Sequence, residues 1–113
     1  MIEKLLGKIV SIHETAKFQL GKLAISDDAK SLYEEHDIDI TDYLLKHATC
    51  NWGNVSAEEE STNNAALTVD KPIKSLYPVI LNDGYITVIN VVTNETKCLT
   101  TVFLSTETLL QSK

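Results

Sequence analysis

Apolar residues recur at helical spacing over residues 1–16, where Ile2, Leu5, Leu6, Ile9 and Ala16 share a face with His13. We read this segment as a helix, although Gly7 costs about 1 kcal/mol inside one and Ile9-Val10 also suits a strand. In residues 17–25 the pattern changes to alternation, with Phe18 and Leu20, then Leu23 and Ile25, and the phase slips at Gly21. That is the mark of a strand bulged at the glycine. Ser26 then offers a capping hydroxyl to a helix that carries Asp27 and Asp28 in its first turn, where negative charge suits the helix dipole. This helix should run to Glu35 and bury Ala29, Leu32 and Tyr33.

After the connector HDIDI, Thr41 opens a second helix, TDYLLKHAT, which Asn51, Gly53 and Asn54 bring to an end. Ser56 followed by Glu59 is a capping-box pattern and starts a third helix over residues 57–67, thin in apolar residues and therefore superficial. Beyond Pro72 the chain turns to strand. IKSLYPVIL, YITVINVVT and KCLTTVFL are rich in β-branched residues and Tyr, and Asp83-Gly84 between the first two is a strong hairpin signal with both turn positions at positive φ. Pro78 cannot donate to a ladder, which places the first of these strands at an edge or bulges it there. The middle strand is almost continuously apolar, as expected if both its faces are at least partly covered.

These elements make one α+β domain over residues 1–113, with two or three helices packed on a C-terminal antiparallel β-meander and an additional N-terminal strand. An N-terminal helix and strand occupy 1–25, an acidic helical segment 26–70, the three-stranded meander 71–104 and a polar tail 105–113. The meander's free edge can be capped by residues 17–25 or by another copy of the chain. An uncovered Val/Ile/Thr edge is a natural pairing site, so a homodimer is one expectation.

Charge adds a location to this outline. The 113 residues hold 16 acids, 10 lysines and no arginine, for a net charge of -6. Residues 1–25 carry +2, residues 26–60 carry -8 and the remainder is neutral. Without Arg, the bidentate grip on guanine and phosphate is missing, so no specific nucleic-acid partner is expected. Direct nucleic-acid binding would need Lys4, Lys8, Lys17 and Lys22 on one face. As a DNA mimic, -8 over 35 residues is sparse beside duplex phosphate, with one charge per ~1.7 Å. No run approaches a membrane span, and the start lacks a signal-peptide pattern, so the expected setting is the reducing cytoplasm with no membrane partner.

Candidate chemistry is thin. No nucleotide-binding, nucleophile-elbow or HExxH motif is present, and Cys50 and Cys98 lack the paired spacing of a zinc site, so neither cofactor nor metal is expected. His47 and Cys50 stand three apart and would be neighbours on a helical turn, the basis of an alternative reading as a small hydrolase or transferase that draws on nearby carboxylates. The DIDITD stretch lacks the glycine and terminal glutamate of a calcium loop. Trp52, the single tryptophan, is either an anchor burying a helix corner or an exposed contact residue. The candidate protein-binding set is Trp52 with Asp39, Asp42, Glu58, Glu59 and Glu60, an acidic surface suited to a basic partner.

Several short pieces, in their order and spacing, resemble a family of short uncharacterised phage, plasmid and conjugative-element proteins often given the name type I restriction endonuclease subunit M. The resemblance spans roughly residues 18–107 and rests on Leu20-Gly21-Lys22-Leu23-Ala24, His47 with Trp52-Gly53, Asn63 with Ala66-Leu67, Ser75 and Tyr77, and Thr100-Thr101-Val102 with Leu104. A methyltransferase needs a doubly wound cofactor domain with its glycine-rich loop, which this chain cannot supply. What the resemblance implies is a mobile-element setting, in which small proteins of this kind act on host defence. It assigns no residue a role.

Overall fold

The computed structural model describes residues 2–105, with side chains from Gly7 onward. It contains α1 (Ile2–Thr15), β1 (Lys22–Ile25), α2 (Asp27–His36), α3 (Ile40–Ala48), α4 (Ala57–Ala66), β2 (Ile73–Ile80), β3 (Ile86–Thr93) and β4 (Leu99–Leu104). The fold is α+β. The first segment is helical, and the expected polar tail lies outside the described residues except for Ser105.

The helix starts are set by side chains that satisfy orphan amides. Ser26 accepts from the Ala29 N–H at 3.2 Å. Ser56 and Glu59 form both halves of a capping box, at 3.0 and 2.9 Å. Asp39 accepts from the Thr41 N–H at 3.0 Å, so α3 begins at Ile40, one residue earlier than its pattern suggested. Ala29 and Leu32 of α2 are buried as expected, but Tyr33 is 46% exposed. Successive helical residues point about 100° apart, and α2 presents only the Ala29–Leu32 stripe to β4 and α3.

The sheet has the order β1-β4-β3-β2. β2, β3 and β4 form the antiparallel meander, and β1 joins β4 in parallel, pairing Leu23 with Thr100 and Ile25 with Val102. The free edge of β4 is thus capped by the N-terminal strand, which is shorter than the expected 17–25. Gly21, at φ 70°, ends the irregular approach to it, and a Cβ there would fall 2.1 Å from the Cys98 carbonyl carbon. The glycine therefore marks a close approach of two backbones, and not a bulge within one strand.

The first hairpin also differs from its expected form. Its loop, Asn82–Gly84, has three residues, with Gly84 N–H donating to the Leu81 carbonyl at 2.9 Å and the Leu81 N–H to the Tyr85 carbonyl at 2.7 Å. Only Gly84 has positive φ, at 89°. A type I turn followed by a left-handed glycine accounts for it, and Asp83 instead bonds the Tyr85 N–H with its carboxylate.

Side chains alternate strictly across the sheet. One face presents Leu23, Ile25, Ile73, Ser75, Tyr77, Val79, Thr87, Ile89, Val91, Thr93, Thr100 and Val102 to the helices. There, α2 lies against β4, α3 against β2 and β3, and α4 against β2, while α1 rests on α3. The main core gathers Ile12, Leu20, Leu32, Leu44, Tyr77, Ile89, Val91 and Val102. No described helix covers the other face, yet β3 is partly covered there too, with Asn90 buried and Val88 and Val92 half-buried among neighbouring strand residues, as its apolar run suggested.

The outer edge of β2 is closed without another strand. The Asn63 amide brackets Lys74, donating to its carbonyl at 2.7 Å and accepting its N–H at 3.0 Å. One step along, the Leu76 N–H donates to the Trp52 carbonyl at 3.0 Å and the Leu76 carbonyl accepts from the Asn54 N–H at 2.7 Å. Pro78, next in the same parity, has no N–H to offer. It lies in an edge strand, as its chemistry requires.

Candidate functional site

The densest polar chemistry among the described residues lies under the helices. His47, near the end of α3, is fully buried, with Nδ1 2.6 Å from Ser75 Oγ and Nε2 2.9 Å from Thr93 Oγ1. Thr93 Oγ1 lies 2.7 Å from Thr100 Oγ1, which in turn donates to the Leu20 carbonyl at 2.7 Å. Each hydroxyl has one hydrogen, and this fixes every direction in the chain. Thr100 spends its hydrogen on Leu20, so it accepts from Thr93; Thr93 accepts from His47 Nε2–H; and Nδ1 accepts from Ser75. The imidazole is the neutral Nε2–H tautomer.

Ser75 donating to a histidine has the outline of a nucleophile and base, but the surroundings deny the role. Burial pushes the His47 pKa down to about 3, which leaves a feeble base near neutrality. Its far nitrogen meets a threonine, not an orienting carboxylate, and Ser75 and His47 are both at zero exposure. Phe18 and Trp52 close over the ring edge-on at 5.3 and 5.8 Å. The chain works as a buried tie that joins α3 to β2, β3, β4 and the segment leading into β1.

Cys50 is not a partner of His47. Helix α3 ends at Ala48, and Cys50 sits at φ 72° in a Schellman closure, with its N–H on the His47 carbonyl at 3.1 Å and the Asn51 N–H on the Lys46 carbonyl at 2.8 Å. Both nitrogens of His47 are already engaged by hydroxyls, and burial pushes the Cys50 thiol pKa up. Cys98 differs. It is exposed in the β3–β4 turn, where hydrogen bonds from Thr96 Oγ1 at 3.0 Å and Asn94 Nδ2 at 3.2 Å lower its thiol pKa. Among the described residues no group of three or more His, Cys, Asp or Glu is placed to hold a metal ion, and no helix is long and apolar enough to cross a membrane.

The proposed contact residues separate into two kinds. Trp52 is 4% exposed and packs with Ala66 and Ile73, so it anchors the corner and offers no surface to a partner. Asp39 caps α3 and forms an ion pair with Lys8; partial burial pushes its carboxyl up, but the bonds from Lys8 and Thr41 outweigh that and hold it low. Asp42, Glu58, Glu59 and Glu60 are exposed. Glu59 is committed to its capping box, and the Ser56 N–H depresses its carboxyl pKa. Asp42 lines an open groove of about 540 Å³ between α1 and α3, with Lys8, Ser11, Thr15 and Leu45, whereas the three glutamates ride on α4 against β2. Of the four lysines considered for nucleic acid, Lys8 is spent on Asp39 and Lys22 lies on β1.

No protein-family model, curated protein or solved structure matches the chain. Most of the residues on which the mobile-element resemblance was read occupy packing and buried-bond positions. His47, Ser75, Thr100 and Leu20 build the tie, Asn63 and Gly53 close the β2 edge, and Trp52 and Ala66 fill the corner. Thr93 was not singled out from sequence, and Ser75 and Thr100 entered only through the resemblance, with no role. Their signal was parity: each stands at an inward position of a strand, where a polar side chain requires a buried partner.

Proposed function

We propose that this is a small non-enzymatic interaction protein of a mobile genetic element, an accessory or counter-defence factor of the antirestriction or anti-CRISPR kind, which binds a basic protein through its acidic helical layer. The observation that carries the reading is segregation of charge. Among the described residues no Asp or Glu lies on a strand, and Asp27, Asp28, Glu34, Glu35, Asp37, Asp42 and Glu58 to Glu60 are all exposed on the helices and their connector. Such a layer steers a basic partner over about a Debye length, roughly 8 Å at physiological salt. The mobile-element setting is supported by the resemblance described above, and the burial of His47 and Ser75 away from any substrate favours binding over catalysis.

The test is capture of host proteins on the immobilised full chain, with Asp42, Glu58 and Glu60 reversed to Lys. Glu59 and Asp39 are kept because they cap helices. Basic proteins eluted by raising salt, and missing from the reversed variant, are the expected result. An unchanged set of captured proteins ends the electrostatic reading.

A further inference from the structure

The open face of the sheet is unlike the rest of the surface. Ile80, Ile86, Leu99 and Phe103 are exposed on it, 72% in the case of Ile80, with Val88 half-buried between them. Its charged residues are Lys22 and Lys74, both at one end, and it has no acid. Edge pairing through β2 is prevented by Asn63, the Trp52–Asn54 segment and Pro78, and β4 is already paired with β1. The other edge strand, β1, is only four residues long, so the face offers the larger surface for association.

We infer that this face seats a second copy of the same chain, sheet against sheet across a two-fold axis perpendicular to the strands. Two observations favour a copy over an unrelated apolar partner. The first is charge: stacking the sheets leaves the acidic helical layers on opposite outer sides, separated by two sheets ~10 Å apart and the helices beyond them, so that repulsion between two chains of charge -6 is screened. The second is end-to-end complementarity. Lys74 stands near one end of β2 and the Asp83 hairpin at the other, so an antiparallel stack that lays β2 along the copy's β2 brings each Lys74 toward the other's Asp83.

The area suffices. Four strands ~4.8 Å apart and ~6 residues long present about 400 Å² in projection. Two copies bury roughly twice that as flat area, and side-chain relief raises the accessible surface to the ~1,000 Å² of a specific interface. Aligned sheet packing at about 30° is the geometry expected.

Sedimentation equilibrium of the full chain at about 100 μM, above the micromolar Kd such an interface supports, should give a dimer. Ile86→Lys, at an exposed position, should give a monomer with unchanged circular dichroism and thermal midpoint. Lys74→Asp should weaken the dimer at least tenfold, and adding Asp83→Lys should restore it. A monomeric wild type overturns the proposal, as does a dimer indifferent to Ile86→Lys. A chain that dimerises only after removal of residues 106–113 also overturns it, since the occupant is then the chain's own end.

Discussion

The two faces of the sheet are built from the same strands and the same alternation, yet they handle polarity in opposite ways. The helix-covered face buries hydroxyls and an imidazole and satisfies almost all of them internally, while the open face turns mainly apolar side chains, Ile80, Ile86, Leu99 and Phe103, outward. A polar group under helices cannot reach water, so it survives only with a partner. An apolar group facing outward costs little to the fold of one chain and becomes useful only when something covers it. Stability should therefore concentrate on one side and association on the other.

The sharpest way to break this contrast is His47→Leu, which strands the Ser75 hydroxyl and takes from Thr93 the donor it accepts from. It should cost about 3 to 5 kcal/mol in urea titration, and a loss under 1 kcal/mol would mean the tie is not formed. Next comes acid. With the folded-state pKa of His47 at about 3 and an unfolded value near 6.5, the unfolded chain binds a proton that the folded chain refuses. Stability should thus fall by about 1.4 kcal/mol per pH unit from pH 6.5 downward, levelling near pH 3. His47→Gln keeps one donor and one acceptor and should flatten that slope between pH 6.5 and 5.

A matched pair of substitutions on β3 sharpens the rule further. Thr93→Val removes the acceptor of His47 Nε2–H and the donor to Thr100, and should cost about 2 kcal/mol. Thr87, on the same face, has a buried hydroxyl with no hydrogen-bond partner. Thr87→Val should be neutral or stabilise by up to about 1 kcal/mol. Equal effects from the two, read by thermal melts, would show that burial alone and not partnering decides. The smallest effect belongs outside: Phe103→Ser should change the stability of the isolated chain by about 0.5 kcal/mol or less.

Local signals in the chain were direct because their causes are local. Ser26, Ser56 with Glu59, and Pro78 each act within a few residues, and the structure uses each as its chemistry suggests. What could not be read was whatever depends on a distant neighbour. Gly21 looked like a bulge because its real reason, the Cys98 carbonyl, lies across the sheet. Tyr33 looked inward because helical periodicity gives a stripe but not its width. His47 was set beside Cys50 by spacing along the chain, whereas its partners come from β2 and β3, and the left-handed turn at Cys50 leaves the thiol out of the pair. The acidic positions were legible as charge, but not the fact that Asp39 and Glu59 are already occupied as helix caps.

The parallel pairing of β1 with β4 carries a consequence for how the chain acquires its shape. Leu23 meets Thr100 across about three quarters of the described sequence, so the entropy of closing that loop must be spent before the contact returns anything. During synthesis at ~5 to 20 residues per second, β1 emerges several seconds before its only strand partner. The β2–β3 hairpin, by contrast, can close as soon as its own turn is free. The molecule is thus expected to assemble from its middle outward, with the first strand made among the last to find its place.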